Sequence, residues 1–249
     1  MTKHNYKGYR PPPANHPLLM AARMASPAFR ITLPDIVDLT PNFAGIRDQG
    51  AEGSCSGFAT AELREILWAT QNSATLGCRL SPAYLYARTR LVEGTFPEDA
   101  GASLADELAV LHAYGVAPET DMPYDADPAK YPTAMADVSA HTYRVKSPCR
   151  VDFSAPPKVK QVLAAGMPIG IGIKVYQSFE DVGSDGILPL PDTKKEAMLG
   201  GHALCVCGYD AKRSLYRVIN SWGTDWGDKG YCWMPMNYPG VLEALTAVK

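Results

Sequence analysis

The chain has 249 residues, 46% of them hydrophobic and 20% charged, with a formal net charge of -2. That length and apolar fraction support one large domain or two small lobes around a sizeable core. The near-neutral charge, with no long run of like charges, gives no general attraction to nucleic acid, and no apolar stretch approaches the roughly 20 residues of a membrane span.

Residues 1–33 are rich in Pro and polar side chains. Pro11, Pro12 and Pro13 favour an extended segment, and one short helix is expected around Leu18–Met24. The segment reads as an arm or short pro-segment. Leu18 to Ala22 is too short to serve as the apolar part of a signal peptide. A cytoplasmic location is therefore expected by default, with a signal-independent export route left open. From Cys55 onward, Phe58, Ala59, Leu63, Ile66 and Leu67 recur at helical spacing and predict a helix over 55–70. Ser54 stands where an N-cap is expected. A second helix is predicted over Ser81–Glu93, with Ser81 as cap and Pro82 in the first turn. A third runs over Ser103–Tyr114 and is closed by Gly115.

The second half changes character. A short helix is predicted over 157–166, and then Ile169, Ile171 and Ile173 alternate with Gly170 and Gly172, a strand pattern. Further strands are predicted at Ala203–Gly208, Tyr216–Asn220 and Gly230–Met234, separated by Gly and Asp turns. The class is α+β, with helices first and strands second. The expected organisation is the arm at 1–33 and one domain at 34–249. Its helical lobe covers about 42–145, and its β-rich lobe covers about 146–249 plus 34–41.

Six cysteines are present, an ordinary density that does not mark a disulfide scaffold. There is no CxxC motif of zinc or redox type. Cys205 and Cys207 share one face of a predicted strand and read as buried apolar thiols. Cys55 is different, because it opens a helix within Gln49-Gly50-Ala51-Glu52-Gly53-Ser54-Cys55-Ser56-Gly57-Phe58. Unpaired N–H groups and the positive end of the helix dipole favour a thiolate there. The small neighbours leave room for a substrate backbone. His202 follows Gly200-Gly201 at the head of an apolar strand. Asn220 opens Asn220-Ser221-Trp222-Gly223-Thr224-Asp225-Trp226-Gly227. Taken singly, each has an ordinary structural reading: a buried Cys, a satisfied His, a turn-forming Asn.

Taken together, these residues resemble the papain family. Gln49 stands six residues before a Cys at a helix start. A His at a strand head follows 147 residues later, and an Asn lies in N-S-W-G-x-x-W-G followed by Gly230-Tyr231. Tyr114-Gly115-Val116 through Pro123-Tyr124 looks like a further family segment. The resemblance covers roughly residues 34–235. It implies a papain-like two-lobe fold, a helical left lobe and a β-barrel-like right lobe with the active-site cleft between them. It implies a cysteine endopeptidase that works through a covalent acyl-enzyme, with peptide or protein substrates. In it Cys55 is the nucleophile, His202 the general base and acid, and Asn220 the group that orients His202. Gln49 helps to hold the oxyanion and Trp222 shields the His–Asn hydrogen bond. By position in the motifs, Gly172, Gly200 and Ala203 line the main side-chain pocket, and Gly101 lies near the segment that pairs with the substrate backbone. No metal or organic cofactor, no nucleic acid and no membrane is implied, and the protein is expected to work as a monomer.

The chain departs from the family pattern in places. Glu52 and Asp99 stand where cysteines of a stapling disulfide are usual, Ser56 replaces the usual aromatic after the nucleophile, and Gly201 replaces an Asp often found before the His. The family's long helical pro-domain has no counterpart, so the arm is the segment expected to autoinhibit, as in a zymogen. Three alternatives stay open on the same residues. The first is an acyltransferase or peptide ligase that uses the same acyl-enzyme. The second is a non-catalytic papain-fold binding module. The third is another Cys-His hydrolase class, against which Asn220 argues.

Overall fold

The computed structural model describes residues 8–25 and 32–248. Residues 1–7 and 26–31 of the expected arm lie outside the described residues, as does Lys249. The arm carries a short helix α1 (Pro17–Ala21) and a two-residue strand β1 (Arg23–Met24), and β2 (Ile36–Asp38) opens the domain. Helices α2 (Cys55–Asn72), α3 (Pro82–Glu93), α4 (Leu104–Ala113) and α5 (Ala134–Ala140) follow, the last running into a 3-10 turn at His141–Tyr143. The second half contains β3 (Ser147–Arg150), α6 (Pro156–Ala164), β4 (Ile169–Tyr176), α7 (Gln177–Glu180), β5 (Met198–Asp210), β6 (Leu215–Ile219), β7 (Tyr231–Pro235) and β8 (Val241–Val248).

The helix boundaries follow from local chemistry. Ser81 and Ser103 accept hydrogen bonds from the backbone N–H groups of Tyr84 and Asp106, so α3 and α4 begin where a hydroxyl satisfies an orphan donor. Gly115 ends α4 at φ +89°, and a Cβ there would collide with the Ala140 carbonyl. Only glycine lets α5 pack so close to that turn.

The strands form one sheet in the order β1-β3-β8-β4-β5-β6-β7, with β2 added to β5. All pairs are antiparallel except β1 with β3. The long β5 carries β4 along its first part and β2 along its last three residues, opposite β6. The path stays open, which corrects the barrel-like right lobe expected from the sequence. Closure is not needed, because helices cover both faces of the central strands. The period-two alternation sorts the side chains. Ala203, Cys205 and Cys207 of β5 join α2 and α4 in one core, while Leu204 and Val206 join α6 in another. Strand β4 is lopsided: Ile169, Ile171, Ile173 and Val175 fill the α6 side, and Gly170 and Gly172 face the opposite way. A Cβ on Gly170 would meet Leu63 of α2 and Leu104 of α4. At Gly172 the nearest neighbour is instead the Tyr9 ring of the arm. No helix of the described residues is long and apolar enough to cross a membrane.

Candidate active site

Cys55 is the first residue of α2 and is fully buried. Ser54 precedes it but does not cap the helix; its hydroxyl bonds the Tyr124 hydroxyl at 2.8 Å instead. The first N–H groups of α2 are therefore left to the sulfur. Burial pushes the Cys55 thiol up to about 12, against the opposing pull of the backbone N–H groups of Ala203, Ser56 and Cys55 itself. The Ala203 contact joins the sulfur to the strand that carries His202.

His202 and Asn220 are positioned by neighbouring strands. Cys205 of β5 pairs with Ile219 of β6 in antiparallel register, so Asn220, the residue after β6, lies level with the middle of β5, close to His202. His202 Nε2 donates to Asn220 Oδ1 at 2.8 Å. The same oxygen accepts the Ser221 N–H at 2.8 Å, which fixes the carboxamide. Both side chains are buried. The Trp222 ring lies 4.7 Å from the imidazole at 31°, and Phe179 approaches from 6.1 Å. Phe179 stacks on Trp226 at 5.3 Å. These aromatic faces cover the buried His–Asn bond.

Gln49 links the two sides. Its N–H donates to the Ser221 carbonyl at 2.9 Å, and its Oε1 accepts the Ser221 hydroxyl at 2.7 Å. Its Nε2 donates to the Glu52 carbonyl at 2.8 Å, and its own carbonyl accepts the Tyr124 hydroxyl at 2.6 Å. A carboxamide nitrogen has two donors, and the Glu52 carbonyl takes one of them. Ser221 and Tyr124 are supports that sequence reasoning did not single out. Both sit inside motifs that drew notice for other letters. The positions of the missing disulfide are joined differently. Asp99 accepts the Gly53 N–H at 3.0 Å and the Tyr86 hydroxyl at 2.6 Å, so a hydrogen-bonded carboxylate ties the loop before Cys55 to α3.

The arm lies in the cleft. Gly8 covers Cys55 so closely that a Cβ on it would stand 2.8 Å from the Cys55 sulfur and 2.7 Å from the Gly53 carbonyl. Ala102 donates to the Gly8 carbonyl at 3.1 Å and accepts from the Arg10 N–H at 3.0 Å, a parallel bridge beside Gly101. Tyr9 is 3% exposed and fills a pocket whose walls are backbone. A Cβ on Gly172 would overlap its ring, and one on Gly201 would reach its carbonyl at 2.7 Å. Its hydroxyl donates to Glu243 Oε2 at 3.2 Å. Arg10 pairs with Glu93, and His16 meets Asp106 at 2.8 Å. Of the residues expected at the pocket, Gly101, Gly172 and Ala203 meet the arm or Cys55. Gly200 pairs with Val175, and Gly201 takes the place against Tyr9. Glu243 was not foreseen, because β8 was not predicted. The signal was a single charge inside the apolar run Val241–Val248. Burial holds its carboxyl up to about 7, with the Tyr9 hydroxyl pulling the other way.

A model of the papain family of cysteine proteases matches residues 33–245. An uncharacterised peptidase C1-like protein of Acanthamoeba polyphaga mimivirus is 31% identical over 77% of this chain and 64% of its own length. Cysteine proteinase 1 of Entamoeba histolytica is 29% identical over 75% of this chain and 58% of its own. The chain thus spans less than two thirds of these relatives. The crystal structure of xylellain, a cysteine protease from Xylella fastidiosa, is similar with a TM-score of 0.86 and 31% identity, covering 98% of this chain and 96% of that one.

Proposed function

The chain belongs to the papain family of cysteine proteases, and from that premise we propose that it is a cysteine endopeptidase whose arm holds it latent. The observation that carries the catalytic reading is the His202–Asn220 bond at 2.8 Å, set on the strand whose Ala203 N–H meets the Cys55 sulfur. Asn220 keeps the Nε2 proton in place, so Nδ1 is the nitrogen that exchanges a proton with Cys55. With the cleft open, the helix terminus and the imidazolium stabilise the thiolate. The thiolate attacks the substrate carbonyl carbon and forms a C–S bond. The oxyanion takes hydrogen bonds from the Gln49 amide and the Cys55 N–H, each such donor being worth about 3 kcal/mol. His202 protonates the leaving amine as the C–N bond breaks. Water then attacks the acyl-enzyme, His202 takes its proton, and the C–S bond breaks to restore the thiolate.

Three features support latency. The sulfur is buried under Gly8 and held as the thiol. The Tyr9 ring occupies the side-chain pocket. The Gly8 carbonyl accepts the Ala102 N–H, a hydrogen bond that anchors the arm over Cys55. The same contacts describe the pocket: glycine walls that admit a flat ring, and a carboxyl at its end that accepts a phenol hydroxyl. A tyrosine, or a long basic side chain, is the substrate residue this pocket fits.

The test is hydrolysis of a peptide library by a chain carrying Tyr9→Ala, with and without Cys55→Ser, analysed with a free amine present. Free-acid products that vanish with Cys55→Ser are expected. Amide products as the main outcome would replace hydrolysis by acyl transfer. Absence of turnover and of any Cys55 adduct with an epoxide inhibitor would leave a binding module.

A further inference from the structure

Glu107 lies within α4, fully buried, with no place in the chemistry above. Its Oε1 accepts the hydroxyl of Ser56 at 3.0 Å and its Oε2 that of Thr89 at 3.0 Å. Ser56 is the residue after the nucleophile, and Thr89 is on α3. Three helices therefore meet at one carboxyl, directly beneath the first turn that sets the Cys55 sulfur and the Cys55 N–H. It is also where this chain departs from its family, since Ser56 stands in place of an aromatic residue.

We propose that Glu107 is a positioning residue for the nucleophile, acting through Ser56, and that it acts as the neutral acid. The inference rests on Cys55 being the nucleophile. Among the described residues no Lys or Arg pairs with Glu107 at ion-pair distance. The charged groups facing it are Glu93 of α3 and Asp106 of its own helix, met in turn by Arg10 and His16 of the arm, and Cys55 of α2. A lone carboxylate in that setting is costly. Burial, then, with Glu93 and Asp106 adding to it, lifts the carboxyl to about 8 against the two hydroxyl hydrogen bonds. A protonated carboxyl keeps both contacts, because either hydroxyl can turn from donor to acceptor. Ionised, it sets a negative charge behind the first turn of α2, against the charge that develops on the oxyanion held by the Cys55 N–H. The group thus locks the turn at neutral pH without placing negative charge behind the sulfur, and slows the enzyme in alkali.

The experiment is the pH profile of kcat/KM for a peptide amide, in the full chain carrying Tyr9→Ala, with Glu107→Gln or Ser56→Ala added. Glutamine keeps two hydrogen-bonding atoms and cannot ionise. Glu107→Gln is expected to keep activity at pH 6 within about tenfold and to move the alkaline fall up by about one pH unit. Ser56→Ala removes a donor that favours the ionised form, so it moves the same fall upward by less. An unmoved alkaline fall in Glu107→Gln overturns the proposal, as does a folded but inactive Glu107→Gln, which would mean that the carboxylate is required. If Glu107→Gln does not fold, Ser56→Ala decides: a raised fall supports the proposal and an unchanged one overturns it. Failure of the catalytic reading shows separately, as an inactive Tyr9→Ala parent.

Discussion

The two sides of the cleft are built on different principles. On the strand side, His202, Asn220 and Trp222 form a finished unit: one short hydrogen bond, a carboxamide fixed by Ser221, and aromatic faces that cover them. On the helix side, Cys55 has the amide donors that a thiolate needs, yet burial beneath the arm keeps it a thiol. One side is fixed by the fold, and the other lies beneath the arm. The proposed latency stores a thiol by withholding solvent alone, with its partners left assembled.

Substitutions on each side should break this contrast in different ways. The largest effect is expected on the strand side. Asn220→Ala frees the imidazole to rotate, and loss of its aim costs about 10²-fold in kcat with little change in KM; steady-state kinetics on a Tyr9→Ala background check this. On the helix side the change should run the other way. Gly8→Val puts side-chain atoms where the Gly53 carbonyl and the Cys55 sulfur already lie. Overpacking of that kind costs about 1–3 kcal/mol, so the arm is expelled and full-chain activity rises about tenfold. The smallest effect sharpens the pocket. With a phenol seated against it, the Glu243 carboxyl is held up to about 7 by burial, so a filled pocket presents a neutral acid below that pH and a carboxylate above it. The preference for Arg over Tyr in the pocket should therefore grow as pH rises from 6 to 8, by roughly fivefold as a partly screened pair allows. Glu243→Gln should remove the pH dependence while leaving tyrosine accepted.

Much of the strand side was legible in the sequence, because its parts are local. Asn220-Ser221-Trp222 is a contiguous run, and His202 follows a glycine pair into the apolar stretch of β5, which starts earlier than expected, at Met198. The helix over 55–70 was equally plain from its spacing, as were α3 and α4 from Ser81, Pro82, Ser103 and Gly115. What the sequence hid was long-range. Glu243 is 234 residues from Tyr9, and the pocket exists only because β8 runs antiparallel to β4. Strands β1, β2 and β3 have two to four residues, too few to show a period. The expected barrel-like lobe failed for a related reason: alternation within strands says which faces are apolar, and not whether the edges meet. Gly201, beside the expected Gly200, meets Tyr9 directly, a contact that motif position does not specify.

The central claim is that Cys55 is a competent nucleophile held as a buried thiol by the arm. The most direct measurement is the rate of Cys55 carbamidomethylation by iodoacetamide across pH 5 to 10, in the full chain and in the Tyr9→Ala chain. Seating the Tyr9 ring is worth about 2 kcal/mol of burial. The full chain should therefore react at least about tenfold more slowly at pH 7 and climb steadily toward alkaline pH, while Tyr9→Ala reacts fast near neutrality with a plateau. Equal rates and equal pH profiles in the two chains would contradict the account.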